Sequence, residues 1–413
     1  MNSILQELEV HVTLEHLQLL RKVGETAWDR GERLYLVGGA VRDFILAQPN
    51  SDLDLVVEGK AIPLARQIAK AGNWEIKTHP RFGTAKLSRE GYTFDLVSSR
   101  SETYPRPGAL PEVKPGTLQD DLARRDFTIN AMAVSLAPPS FGELFDPHGG
   151  RNDLKQKQIR VLHDDSFSDD PTRIFRALRY EQRLGFRLEP ETEIQLLQSL
   201  DNLDTMTGER LWHELELILR ESQPERAILR VDEIGALRKL CPAFTGDDVW
   251  LADKFVQVRK KGDASLSWVA VYLALFTYWF DSDETEACIS RLKFPGWATR
   301  IARDSAKLKQ TLPDLAVTQL RPSQIYRKLE HHLPEVVAAG ALAAESDVAR
   351  KRMELYLSDL RHISTWLNGD DLQSMGVSPG KTLGQILRSL HEANLDRKVI
   401  SRADEEQLVR DLM

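Results

Sequence analysis

Cysteine is nearly absent from this 413-residue chain: Cys241 and Cys288 are the only two, far apart and without metal-ligand spacing. That excludes a disulfide framework and a cysteine-held zinc site, and leaves reduced, buried thiols of a cytoplasmic protein as the expectation. Long apolar runs are absent as well. The most apolar segment, residues 268–280, is too short to cross a bilayer and reads as a buried helix, so no membrane partner is expected. Residues 1–20 scatter acids and histidines without the layout of a signal peptide. Nor is positive charge in excess: 55 Lys and Arg stand against 62 Asp and Glu, a formal net charge of −7. A chain that coats nucleic acid indiscriminately is excluded; a basic surface gathered on one face is not. No fixed-period repeat or low-complexity tract occurs, which sets solenoids aside.

What is present is a change of pattern along the chain. The length favours two to four domains. Residues 4–28 carry Leu5, Leu8, Val12, Leu17, Leu20 and Val23 at helical spacing. Residues 34–37 then read as a strand, Gly38-Gly39 as a turn, 40–46 as a helix, 53–57 as a second strand and 62–71 as a helix. Two alternating runs, 84–88 and 92–98, flank Arg89-Glu90-Gly91 as a hairpin. Residues 101–119 hold Pro105, Pro107, Pro111 and Pro115, a density that reads as a long loop. Residues 128–135 read as a closing strand, and Asp146-Pro147-His148-Gly149-Gly150 as a turn-rich break. Beyond about Asp170 the pattern is helical to the end. The expected fold class is α+β: a small mixed-sheet head followed by an elongated all-α body.

The chemistry concentrates between residues 35 and 57. Strand side chains alternate, so Asp52 and Asp54 project from one face with Leu53 and Leu55 behind them. Two carboxylates so spaced can share Mg²⁺ and leave positions open for water and phosphate. If the strand holding Asp95 is a neighbour, its carboxylate joins them. Gly38 and Gly39, between strand and helix, let backbone N–H groups approach a phosphate, and Arg42 lies one turn in. Asp-x-Asp and Gly-Gly are each common alone; their pairing is rarer. Farther on, Arg173, Arg176 and Arg179 recur every three residues behind Asp169-Asp170-Pro171, which also suits a capped helix with a solvated basic face.

In combination these stretches resemble a known family. Val37-Gly38-Gly39-Ala40-Val41-Arg42-Asp43 with Asp52-Leu53-Asp54, then Arg124-Arg125-Asp126-Phe127-Thr128-Ile129-Asn130-Ala131, and then Asp170-Pro171-Thr172-Arg173 through Tyr180 are similar to the class II tRNA nucleotidyltransferases and bacterial poly(A) polymerases. Those enzymes belong to the DNA polymerase beta nucleotidyltransferase superfamily. The resemblance implies a helical lead-in at 1–28, a nucleotidyltransferase head at 29–150, a helical neck at 151–240 and a body and tail at 241–413 that bind tRNA. It implies metal on Asp52 and Asp54, with Asp95 completing the catalytic set. It also implies nucleotide binding by Gly38, Gly39, Arg42, Arg125, Asp170, Arg173, Arg176 and Arg179.

The resemblance further implies that Asp170 and Arg173 choose the base. Cytosine and adenine present an exocyclic amine beside an unprotonated ring nitrogen, which a carboxylate and a guanidinium match. Guanine and uracil present the reverse and would be rejected. Many members carry Glu-Asp where this chain has Asp169-Asp170. The 101–119 loop stands where the family's flexible loop accommodates ATP after CTP, which argues against a CC-only enzyme. Gly369-Asp370-Asp371-Leu372 with Met375 through Gly380 resembles the family's bacterial tail motif. The expected function is completion of the 3′-CCA end of tRNA from CTP and ATP with Mg²⁺. Its rivals are an A-adding enzyme, a poly(A) polymerase, and a non-catalytic RNA-binding protein on the same fold. His163-Asp164 lacks the second helix that a phosphohydrolase metal site needs.

Overall fold

A computed structural model describes Ile4 and residues 14–48, 52–89, 92–242, 244, 248–262, 265–317 and 319–413. The chain forms two compact units, residues 1–207 and 208–413. Their boundary falls inside the 151–240 stretch, and the 146–150 break lies within the first unit.

The first unit is built on a seven-stranded mixed sheet. After helix α1 (Leu14–Trp28) come β1 (Arg33–Val37), α2 (Gly39–Ile45), β2 (Asp52–Glu58), α3 (Ala61–Gly72), β3 (Glu75–His79), β4 (Thr84–Arg89) and β5 (Tyr92–Ser98). The short strands β8 (Ala133–Ser135) and β9 (Leu144–Phe145) complete the spatial order β3-β4-β5-β2-β1-β8-β9. Only β2 and β5 run parallel; the other neighbours are antiparallel. Side-chain alternation assigns the two faces. Leu34, Leu36, Leu53, Leu55, Phe94 and Leu96 are buried on the face that α1 and α3 cover. On the other face Tyr35, Val37, Val56 and Ala133 pack against Leu118 and Leu122, which belong to α4 (Leu118–Ala123). Helix α4 therefore covers the Val56 end of that face, and Asp54, two residues back on β2, is exposed.

Three local expectations change. Residues 101–119 are not wholly irregular: β6 (Arg100–Thr103) and β7 (Glu112–Pro115) pair as a separate antiparallel ribbon. Pro115 occupies the terminal pair, opposite Arg100, where a missing N–H does least harm to a ladder. The 128–135 strand is shorter than read. Residues Thr128–Asn130 close a single 3₁₀ turn, the Thr128 hydroxyl bonds Asp153 at 2.7 Å, and only Ala133–Ser135 enter the sheet. The 146–150 break is a helix start: the Asp146 carboxylate accepts from the backbone N–H groups of Gly150 and Arg151 at 2.6 and 2.9 Å, at the head of α5 (Gly150–Gln156). The unit continues through α6 (Ser166–Asp169), α7 (Arg173–Leu184) and α8 (Pro190–Gln198); β10 (Gln158–Ile159), ahead of α6, and β11 (Arg187–Leu188), after α7, form a two-stranded parallel pair.

The second unit is helical, from α9 (Gly208–Leu219) to its last helix, Arg402–Leu412. Trp268–Phe276 forms a buried helix, and no helix of the described residues is long and apolar enough to cross a membrane. Cys241 and Cys288 are both buried in this unit and share a thiol hydrogen bond, an association that their separation in sequence does not suggest. Around the tail motif, Leu367, Leu372, Val377, Ile386, Leu390 and Val409 form a core. The buried carboxylate of Glu405 accepts from Trp366 N, Leu367 N and Asn394 Nδ2 at 3.1, 2.7 and 2.6 Å. Of the basic residues on the body helices, Arg303 forms a forked pair with Glu286 at 2.6 and 2.8 Å, and Arg352 donates to the carbonyls of Leu315 and Val317.

Candidate active site

The parallel register of β2 and β5 sets Asp54 directly beside Asp95. In a parallel pair partnered residues share a face, so the two carboxylates stand side by side on the face opposite α1 and α3. Asp95 is about half exposed, with Lys86 of the neighbouring strand 3.6 Å away. An exposed ion pair of that kind contributes little, on the order of 1 kcal/mol or less. Two carboxylates side by side on one sheet face are an arrangement that a shared divalent cation would stabilise. The backbone of Asp52 pairs with Thr93 at the start of β2, while its side chain lies outside the described residues. Among the described residues no cluster of three or more His, Cys, Asp or Glu is placed to hold a metal.

Gly38 and Gly39 lie beside this carboxylate row. The β1–β2 register pairs Leu36 with Leu55, so the chain leaves β1 at Gly38 next to the Asp54 end of β2. Gly38 has φ 71°, in the left-handed region, and a Cβ there would lie 2.6 Å from Nη1 of Arg125. Arg125 is thus seated against the glycine turn, with Nη2 3.0 Å from Asp121, whose carboxylate is fully buried under both Arg124 and Arg125. Helix α2 opens at Gly39 and carries Arg42, which is buried.

From Arg42 a hydrogen-bonded chain leads to the helix at the far side of the site. Arg42 Nη1 donates to Asn130 Oδ1 at 2.7 Å, and Asn130 Nδ2 donates to Asp126 Oδ1 at 3.0 Å. Oδ2 of Asp126 accepts from Nε and Nη2 of Arg176 at 2.9 and 2.6 Å. Burial by itself would raise the Asp126 carboxyl. The Arg176 guanidinium, the Asn130 hydrogen bond and the charge of Arg173 outweigh it and bring the group down to about 2. Asp126 is therefore a fixed negative charge at neutral pH.

Helix α7 begins just beyond a turn closed by Asp170, whose Oδ1 accepts from the Thr172 N–H and hydroxyl at 3.1 and 2.6 Å. The expected cap is thus an Asx turn ahead of the helix. Arg173, buried in the first turn, donates from Nη1 to the Ser166 hydroxyl at 2.7 Å and from Nη2 to the Arg124 carbonyl at 2.8 Å. Asp169, where Glu is usual in the resemblance, faces His163 at 3.9 Å. Its carboxyl is raised by burial, with His163 and Arg173 opposing. Tyr104 of the ribbon reaches the same place: its hydroxyl donates to Glu102 at 3.1 Å, and Glu102 also receives Arg124 at 3.2 Å. Burial and the Glu102 charge push the Tyr104 phenol up to about 12.

The structure thus brings Asp54 to Asp95, Arg125 to Gly38, and Arg42 to Arg176. Arg179, one turn farther along α7, is buried with its guanidinium 5.0 Å from the Tyr180 ring. Gly39 opens the helix without close crowding, since a Cβ there would meet nothing nearer than Arg42 Nη2 at 3.5 Å. Four residues that hold the site together escape a sequence reading aimed at charge and glycine: Asp121, Asp126, Asn130 and Glu102. Only Asp126 and Asn130 lie inside the arginine-bearing motif; Asp121 and Glu102 lie outside it, and which guanidinium each one meets is decided by tertiary packing.

Residues 34–160 match the family model described as the poly A polymerase head domain, and residues 185–247 match the one described as a probable RNA and SrmB-binding site of polymerase A. The chain is 36% identical to an A-adding tRNA nucleotidyltransferase of Geobacter sulfurreducens, over 97% of this chain and 48% of that protein. It is 32% identical to an A-adding tRNA nucleotidyltransferase of Halalkalibacterium halodurans, over 97% of this chain and 93% of that one. It therefore spans about half the length of the first relative and nearly all of the second. Among solved structures, an unliganded CCA-adding enzyme superposes with a TM-score of 0.81 at 30% identity, covering 100% of this chain and 99% of the other. The chain belongs to the tRNA nucleotidyltransferase and poly(A) polymerase family of nucleotidyl-transferring enzymes.

Proposed function

We propose that this protein transfers AMP from ATP to the 3′ end of tRNA, and that Asp52, Asp54 and Asp95 form its catalytic carboxylate set. The observation that carries the chemistry is the in-register pair Asp54 and Asp95 beside the Gly38 turn. A triphosphate lying along Gly38, Gly39 and Arg42 has its α-phosphorus beside those carboxylates, where the tRNA 3′-hydroxyl attacks it and pyrophosphate leaves. Asp95 accepts or orients the proton of the attacking 3′-hydroxyl. Arg125, Arg176 and Arg179 supply positive charge for the phosphates, and Asp170 with Arg173 meets the base edge. A divalent cation, Mg²⁺ by its preference for carboxylate and phosphate oxygens, would be held by Asp52 and Asp54 and would stabilise charge on the attacking and leaving oxygens.

Addition of the terminal A alone is the narrower proposal, supported by the A-adding relatives that align along 97% of this chain. Full CCA synthesis from CTP and ATP is the second, supported by the CCA-adding enzyme of the same fold and by an acid–guanidinium pair that suits cytosine as well as adenine. Incorporation from labelled CTP and ATP separates them. Acceptors are tRNA lacking the whole CCA end, tRNA lacking only the terminal A, and an unrelated oligo(A). Extension of only the acceptor ending in CC supports A addition, and extension of the shorter tRNA supports CCA synthesis. Long tails on oligo(A) indicate a poly(A) polymerase. No incorporation on any acceptor sinks the enzymatic proposal and leaves RNA binding.

A further inference from the structure

Tyr180 is the hub of an arginine cluster. The guanidinium carbons of Arg179, Arg42, Arg183 and Arg176 lie 5.0, 5.2, 5.8 and 6.0 Å from the centre of its ring. Three of the four are on α7 with Tyr180 itself; Arg42 comes from α2, about 140 residues earlier. The ring packs at nearly a right angle to Phe127, centroid to centroid 6.0 Å and interplanar angle 85°, and Phe127 is fully buried. Four like charges within about 6 Å of one point repel one another. Asp43 meets Arg42 at 2.7 Å and Asp126 meets Arg176 at 2.6 Å. The quadrupole of an aromatic face attracts guanidinium groups at these distances without presenting a formal negative charge. A carboxylate in the same place would pair with the arginines and repel any anion they were meant to bind.

We propose that Tyr180 is a positioning residue whose ring gathers Arg42 and Arg179, with Arg176 and Arg183 at its margin, into an array that meets the phosphates of an incoming triphosphate. The proposal rests on the reading that these arginines meet the nucleotide's phosphates. The ring, not the hydroxyl, performs the task, and it acts on nucleotide binding rather than on the bond-making carboxylates. It also gives Arg42 a second connection to α7, beside the Arg42–Asn130–Asp126–Arg176 hydrogen bonds.

The test uses the full chain, ATP and tRNA ending in CC, with Tyr180→Phe followed by phenylalanines bearing two and three ring fluorines at the same position. Fluorine drains the ring face of negative charge with little change of size. Tyr180→Phe is expected to keep KM for ATP within about twofold, and the fluorinated series to raise it stepwise, by about five- to tenfold at the end. Changes in kcat and in tRNA affinity are expected to stay within about twofold, a split that loosened packing alone does not produce. A flat KM across the series, or a large rise already in Tyr180→Phe, overturns the ring's role. Arg179→Ala, measured alongside, is expected to raise KM for ATP. If it leaves KM unchanged, the phosphate reading itself fails, and the inference fails with it.

Discussion

Asp126 receives both Nε and Nη2 of Arg176 on a single oxygen, across fifty residues of sequence, while its other oxygen is held by Asn130. The carboxylate is buried, and its value of about 2 lies below the ordinary 3.8. A depressed carboxyl stabilises the fold above its unfolded value, and that contribution disappears as pH falls through the folded one. The gap corresponds to roughly 2 kcal/mol, present in full above about pH 4 and lost between about pH 4 and 2. Asp126→Asn is expected to lower stability at pH 7 by roughly 2–4 kcal/mol, because it leaves Arg176 without its charge partner. Urea unfolding of both proteins at pH 7 and pH 2.5 checks this. Equal gaps at the two pH values would show that the charge is not the cause.

Asp54→Ala removes one of two adjacent carboxylates from an exposed strand position, where no core is disturbed. AMP incorporation on tRNA ending in CC is expected to fall by about a thousandfold or more, the scale of losing metal-ion stabilisation. Binding of the same tRNA, read by fluorescence anisotropy, is expected to change less than about threefold. Residual incorporation near that of the unmodified protein would remove Asp54 from the catalytic set.

Gly38→Ala acts through the backbone and through Arg125 together. The added methyl meets Nη1 of Arg125 at 2.6 Å, and alanine at φ 71° costs about 1–2 kcal/mol. KM for ATP is expected to rise about tenfold as Arg125 is pushed from its seat. Steady-state kinetics with varied ATP at saturating tRNA checks it, and an unchanged KM would mean that the turn does not approach the nucleotide.

Arg173→Ala takes away a buried guanidinium held by Ser166 and by the Arg124 carbonyl. Discrimination against UTP and GTP is expected to weaken by on the order of 10²-fold, as when a polar site loses the donor that its correct partner needs. Competition of each triphosphate against ATP measures it. Unaltered rejection would place base choice elsewhere.

Much of this head was legible in the chain. Leu53-Asp54-Leu55 and Phe94-Asp95-Leu96 alternate buried and outward residues, so both strands and the face of each aspartate could be assigned. What failed had physical causes. Strand β3, Glu75-Ile76-Lys77-Thr78-His79, is an edge strand with little burial, and its polar composition carried no apolar period to read. Thr128-Ile129-Asn130 is fully buried and looked like strand, but the Ala131 N–H donates to the Thr128 carbonyl to close a turn, and the Thr128 hydroxyl bonds Asp153. The prolines of residues 101–119 forbid a central strand, yet they do not prevent a ribbon whose two strands are both edges. The arginine stripe on α7 was visible; that Arg42 would join it around Tyr180 depends on a contact between distant segments.

The register of β5 against β2 also fixes where this gene product can gain or lose residues. One residue inserted within Tyr92-Thr93-Phe94-Asp95 would turn Asp95 inward beneath α3 and bring Phe94 out into water, because side chains alternate sides at every step. Single-residue length changes in that segment are therefore expected to be eliminated under selection for activity. Changes in the 104–111 tip of the ribbon leave the β2–β5 ladder untouched and can accumulate. A library of one-residue insertions across 92–115 should yield survivors crowded toward the tip and a gap at the aspartate.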